Sequence, residues 1–193
     1  MAIKLSILTP AVWKRDYKAK RLAKKIEAQI TDGGYEGQVE HLVYFDNKAR
    51  TIGAKRQALV DTARGDYIAF VDDDDDISDD YIKEILCAAE SGVDVIVFDQ
   101  SATFNGEKSR VEFSLKNQDG PFTPGGITLR SGWHVNAWRR TRVAGCQFGE
   151  TNYGEDLEWA LQARKRVSSQ ARIDKILHYY QHDAATSEAP MPS

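Results

Sequence analysis

The stretch YIAFVDDDDDISDD, residues 67–80, runs from an apolar segment straight into five consecutive aspartates. Gly65-Asp66 turns the chain into Tyr67–Val71, a short apolar and aromatic run that predicts a buried strand. The aspartates that follow repel one another, and each carboxylate needs water or a partner. Outward from this point the same pattern repeats. KLSILT (4–9), closed by Pro10, reads as a first strand, VEHLVYF (39–45), closed by Asp46-Asn47, as a second, and Val93–Phe98 as another inner strand. Residues 13–30 read as a helix with Trp13, Tyr17, Leu22, Ile26 and Ile30 in one stripe, stopped by Gly33-Gly34. Residues 49–63 and 79–91 read as two more helices. Strands alternating with helices predict an α/β fold, a mainly parallel sheet with helices on both faces.

The second half changes character. Asn105-Gly106 between SATF and SRVEFSL predicts a small antiparallel hairpin, and GPFTPGG (120–126) a loop. EDLEWALQARKR (155–166) reads as a helix with an acidic start and a basic end, and RIDKILHYYQH (172–182) as a strand. One domain is expected over 1–183, with 1–100 binding a nucleotide and 101–183 facing an acceptor, followed by a flexible tail at 184–193.

The chain has 193 residues, with 26 basic and 29 acidic side chains, so no global field points to nucleic acid or membrane. Charge is uneven, however. Lys4, Lys14, Arg15, Lys18, Lys20, Arg21, Lys24 and Lys25 stand against Asp16 alone in the first 25 residues. That is either a solvated helix face or a surface for a polyanion, nucleic acid or lipid phosphate. Two cysteines, Cys87 and Cys146, give no disulfide framework and suggest reduced thiols in the cytoplasm. No apolar run approaches the ~18 residues of a membrane span.

In an open parallel sheet, ligands bind beyond the carboxyl ends of the strands. Asp72 to Asp76 begin there. Clustered carboxylates tolerate one another around a divalent cation, and oxygen ligands suit Mg²⁺ or Mn²⁺ bridging to substrate phosphates. The residues therefore predict a metal-assisted diphosphate site. A solvated acidic loop or a structural Ca²⁺ site is the alternative, although the glycine and closing glutamate of an EF-hand are absent.

GAKRQALVDTARGDYIAFVDDDDDISDDYI (53–82) resembles the core of family-2-like glycosyltransferases of the GT-A fold. Gly53, Arg56, Ala63, Gly65, Asp66, Tyr67 and Ile68 match that pattern, and Asp72, Asp74 and Asp75 take its Asp-x-Asp-Asp positions. Asp79 stands where the family often has proline. Thr9-Pro10, Asp46-Asn47 and FGETNYGEDLEWA (148–160) resemble three further family segments, so the likeness spans roughly 4–182. It implies transfer of a sugar, with inversion, from a nucleotide diphosphate sugar to an acceptor hydroxyl. The donor would be a UDP-sugar first, a GDP- or dTDP-sugar second.

The resemblance also implies roles. Thr9, Pro10, Asp46, Asn47, Arg56, Asp72, Asp73 and Asp75 would meet the donor. Asp74 would ligate Mn²⁺ or Mg²⁺ with Asp72 sharing it, in a register ambiguous by one position. His182, ahead of His178, would approach the metal or diphosphate. Asp156 would be the catalytic base, with Glu155 second, because neighbours in a helix point about 100° apart. Trp133, His134, Asn136 and Trp138 are candidates for the acceptor, since aromatic faces suit sugar rings; a packed strand or helix is the alternative. The acceptor itself is open: a glycan, a lipid-linked sugar, a protein or a modified nucleic acid base. Two competing functions remain. A nucleotidyltransferase needs a glycine-rich loop where this chain has TPAVWKR, and a non-catalytic module would hold calcium.

Overall fold

The structure, a computed structural model, describes residues 2–182; the predicted tail and the His182 side chain lie outside the described residues. In chain order the strands are β1 (Leu5–Val12), β2 (Val39–Asp46), β3 (Tyr67–Phe70), β4 (Asp76–Ile77), β5 (Val95–Phe104), β6 (Glu107–Phe113), β7 (Ile127–Arg130), β8 (Ala137–Arg139) and β9 (Gln170–His182). The helices are α1 (Asp16–Asp32), α2 (Ile52–Thr62), α3 (Tyr81–Ala89), α4 (Arg140–Val143) and α5 (Glu155–Arg164). All the strands join one mixed, mostly parallel sheet in the order β2-β1-β3-β8-β5-β6-β7, with β9 beside β5 and β4 paired to β9.

Period-two alternation along β1 sends its side chains to opposite faces, and both faces are covered. Leu5 and Ile7 pack with Leu22 and Ile26 of α1 and with Tyr81 and Ile85 of α3. Leu8, on the other face, packs with Leu59 of α2 and with Trp159 and Ala163 of α5. The predicted hairpin is β5–β6, and Asn105 and Gly106 both take positive φ (50° and 87°), as a tight hairpin turn requires.

Three local expectations are corrected. Pro10 does not close the first strand, since β1 pairs with β2 through to Val12. The Lys4 and Leu8 carbonyls and the Val12 amide all point toward β3 or the loop beyond it. Pro10 shares that side, past the end of β3, so its missing N–H breaks no ladder. Trp13 and Tyr17 do not join the buried stripe of α1 and are 67% and 69% exposed. Trp13 sits in a 3₁₀ turn ahead of the helix, and Tyr17 lies five residues, about 140°, from Leu22. Finally, β8 enters antiparallel between β3 and β5, in the segment read first as an acceptor surface and only second as a packed strand or helix.

Candidate active site

The Asp72–Asp76 run leaves β3 at its carboxyl end, where alternation sorts the carboxylates. Asp73 is fully buried: its Oδ2 accepts from the Val12 amide at 2.9 Å and its Oδ1 lies 2.7 Å from Arg15. Asp75 is 3% exposed, with Oδ2 3.2 Å from Nε2 of His178, whose Nδ1 lies 3.0 Å from the Gln100 amide. Burial pushes both carboxyls up to about 6, against the pull of Arg15 on Asp73 and of His178 on Asp75. The Asp72 and Asp74 side chains instead keep 23% and 21% of their surface open. Burial raises Asp74 as well, opposed by Arg15 at 3.1 Å. For Asp72, burial works against ionisation, but Arg56, His134 and Arg15 outweigh it and hold the carboxyl below its usual range.

Behind Asp72 lies a buried charge relay. Arg56, 3% exposed on the first turn of α2, gives one guanidinium nitrogen to both Asp72 oxygens at 3.0 and 2.8 Å. Its other terminal nitrogen meets Glu155 Oε1 at 2.5 Å. Gly53 permits this approach. A Cβ there would stand 1.8 Å from the Gly149 carbonyl oxygen, and the Gly53 amide donates to the Thr151 carbonyl. Thr51 caps α2 by accepting from the Ala54 amide at 3.2 Å. The adjacent acids of α5 part as helical geometry requires. Glu155 turns inward to Arg56, and burial raises its pKa against that pull, while the Asp156 side chain stays 30% exposed, 3.7 Å from His134 Nδ1. Burial, reinforced by Arg56, lowers His134 to about 4, so its ring is neutral at pH 7.

The β1–β2 end is tied down from within. Asp46 accepts from the Lys48 and Arg50 amides and from Lys55 Nζ at 2.9 Å, and Lys55 also donates to the Ala11 carbonyl. Thr9 is buried against His41 at 2.9 Å, Pro10 is buried in β1, and Asn47 is exposed.

The structure thus brings together Asp72, Asp74, Arg56, His134, Glu155 and Asp156. Asp73, Asp75 and Arg56, expected to meet the donor, are buried and turn to protein partners, Val12 with Arg15, His178, and Asp72 with Glu155, while Asp75 Oδ1 and Arg56 Nε are buried without a hydrogen-bond partner among the described residues. Trp138 and Asn136 are corrected as an acceptor surface, because both are 0% exposed. Trp138 packs edge-on to Trp159 at 5.6 Å and donates to the Trp133 carbonyl, while Asn136 accepts from the Trp133 amide. His134 stays at the site, and Trp133 is partly open beneath the Arg164 guanidinium. The register shift of β9 opposite Asp99 of β5 seats His178 against the acidic run. Arg15, Lys55 and His41 were missed. Arg15 and Lys55 read as ordinary basic residues, and only their positions beside strand ends could have flagged them.

A model of glycosyl transferase family 2 matches residues 21–148, more than half the chain. The chain belongs to glycosyl transferase family 2. Among family-level relatives, EpsH of Bacillus subtilis (strain 168), which carries a glycosyltransferase name, is 29% identical over 104 residues, covering 48% of this chain and 30% of EpsH. S. aureus TarS 1-349, solved in complex with UDP-GlcNAc, superposes with a TM-score of 0.67 at 14% identity over 97% of this chain and 62% of that one. The catalytic domain of Drosophila beta1,4galactosyltransferase 7, solved with xylobiose, gives a TM-score of 0.61 at 14% identity over 99% and 76%. At such identities the two structures establish a shared GT-A fold. This family-2 chain spans less than two thirds of the length of EpsH and of the TarS fragment.

Proposed function

We propose that this family-2 domain transfers a sugar from a nucleotide diphosphate sugar to an acceptor hydroxyl, inverting the anomeric centre. The observation that carries this is the sorting of the acidic run. Asp72 and Asp74 keep open carboxylate just past the end of β3, within one charge network with Asp156, while Asp76, also open, pairs with Lys25. The UDP-GlcNAc held by TarS makes a UDP-sugar the first donor to test.

In this reading Asp46 and the ends of β1 and β2 hold the nucleoside, and Arg56 keeps Asp72 ionised and fixed. The open Asp156 carboxylate takes the proton of the acceptor hydroxyl. That oxygen bonds to the anomeric carbon as the bond from carbon to the diphosphate oxygen breaks, on the opposite face. Neutral His134 flanks Asp156 without quenching its charge.

Among the described residues no group of three or more His, Cys, Asp or Glu is assembled to cage a metal ion. Two open carboxylates fit instead a cation that draws its other ligands from water and a diphosphate. Asp74 and Asp72 would hold Mn²⁺ or Mg²⁺, which when bound neutralises charge on the departing diphosphate. The test is a hydrolysis screen over UDP-, GDP- and dTDP-sugars, with Asp74→Ala as the blank and anomer assignment by NMR. Turnover of one donor by the parent alone supports the reading. Equal background from both proteins with every donor contradicts it.

A further inference from the structure

We propose that the outer face of α1, with the rim of β2, docks this domain on an anionic lipid bilayer. Trp13 and Tyr17 are among the most exposed large side chains in the molecule. Trp13 lies against Phe45, ring centroids 5.7 Å apart, and Phe45 and Val43 stand out from the edge strand β2 at 38% and 44% exposure. Arg21 and Lys24 follow Tyr17 at four and seven residues on the same side of the helix, and Lys14 lies in the 3₁₀ turn just before it. All three are exposed and have no acidic partner among the described residues.

The nearby acids are largely answered. Asp16 pairs with Lys20 at 2.6 Å, Arg15 covers Asp73 and Asp74, and Lys25 covers Asp76 and Asp79, leaving Glu27 and, in the last turn, Asp32 as exposed acids of α1. Aromatic rings beside unpaired cations are the chemistry of a membrane interface, where rings sit at headgroup depth and lysine and arginine meet anionic lipid. The aliphatic Val43 at the rim favours lipid over nucleic acid, which would use the same charges and stack only on rings. Arg15, between Trp13 and α1, reaches the acidic run, so the docked face adjoins the crevice mouth.

Vesicle binding needs no sugar donor, so it stands or falls apart from the transferase reading. The test is co-sedimentation of the whole chain with vesicles of phosphatidylcholine and with vesicles about one third phosphatidylglycerol. Binding to the anionic vesicles alone is expected. The double variant Arg21→Glu/Lys24→Glu should weaken it about 25-fold or more, at about fivefold per charge. Tyr17→Ser should weaken it at low and high salt alike, with thermal melting showing both variants folded. No vesicle binding, equal binding to neutral vesicles, or parent-like binding by the charge-reversed variant overturns the proposal. So does binding of a short DNA duplex together with vesicle binding that ignores Tyr17→Ser, since that assigns the surface to nucleic acid.

Discussion

Arg56 shows how one buried charge organises the site. It holds Asp72 and Glu155 at once, and neither carboxylate has another cation as near. Arg56→Ala strands the buried Glu155 and the part-open Asp72 and should cost about 3–5 kcal/mol of stability, read from urea unfolding. A loss within 1 kcal/mol, on the scale of ~0–1 kcal/mol for surface pairs, would mean the relay is solvated. Asp156→Asn removes the proposed proton acceptor and should lower kcat by about 10²–10⁴ while leaving donor binding unchanged in calorimetry. Unchanged turnover would pass the role of base to another group. His41 gives a pH signature away from the chemistry. Burial lowers it to about 4 from its ordinary 6.5, so its contribution to stability is complete above pH 6.5 and is lost as pH falls toward 4. Asp73 and Asp75, raised to about 6, act oppositely over the same window. The parent's slope is therefore a difference, and substitution isolates the histidine. His41→Gln should lose less stability than the parent between pH 6.5 and 4, measured by urea midpoints.

At the scale of elements, the close approach of α2 to the 148–154 loop carries Arg56 to Glu155. Gly53→Ala should destabilise by about 1–3 kcal/mol or more, because the clash is with backbone and outweighs the gain in helix propensity. A stabilised variant in calorimetry would show that the loop yields freely. The elements that were legible in the sequence are those with strong local signals. The aspartate run marked the end of β3, Asn105-Gly106 marked the hairpin, and Glu155-Asp156 marked the start of α5. What stayed illegible was set by tertiary context. β8 is three residues long and offers no period, so Trp138 looked as apt for a sugar as for the core that actually buries it. Trp13 and Tyr17 looked like stripe residues because spacing of three to five residues tolerates a drift of more than a third of a turn. The sequence ranks His182 ahead of His178, yet His178 is the one seated beside Asp75, because the register shift opposite Asp99 depends on pairing with β5.

At the scale of the whole molecule, the sheet sets the polarity of function. The parallel β1, β2 and β3 point their carboxyl ends the same way, β3 stopping opposite Leu8 and its aspartate run continuing beside β1, so Asp46, Asp72 and Asp74 lie at that end, and α5 brings Asp156 to it from the second half of the chain. The acidic run follows from this. Of its five carboxylates, two are internal fasteners, through Val12 with Arg15 and through His178, Asp76 pairs with Lys25, and Asp72 and Asp74 are the pair we propose for a ligand. Isothermal titration of UDP into the parent and into Asp74→Ala, each with Mn²⁺ or with EDTA, measures that division most directly. Binding that requires Mn²⁺ and is lost in Asp74→Ala is the expected result. Equal binding by both proteins, or none by the parent with Mn²⁺ present, would contradict it.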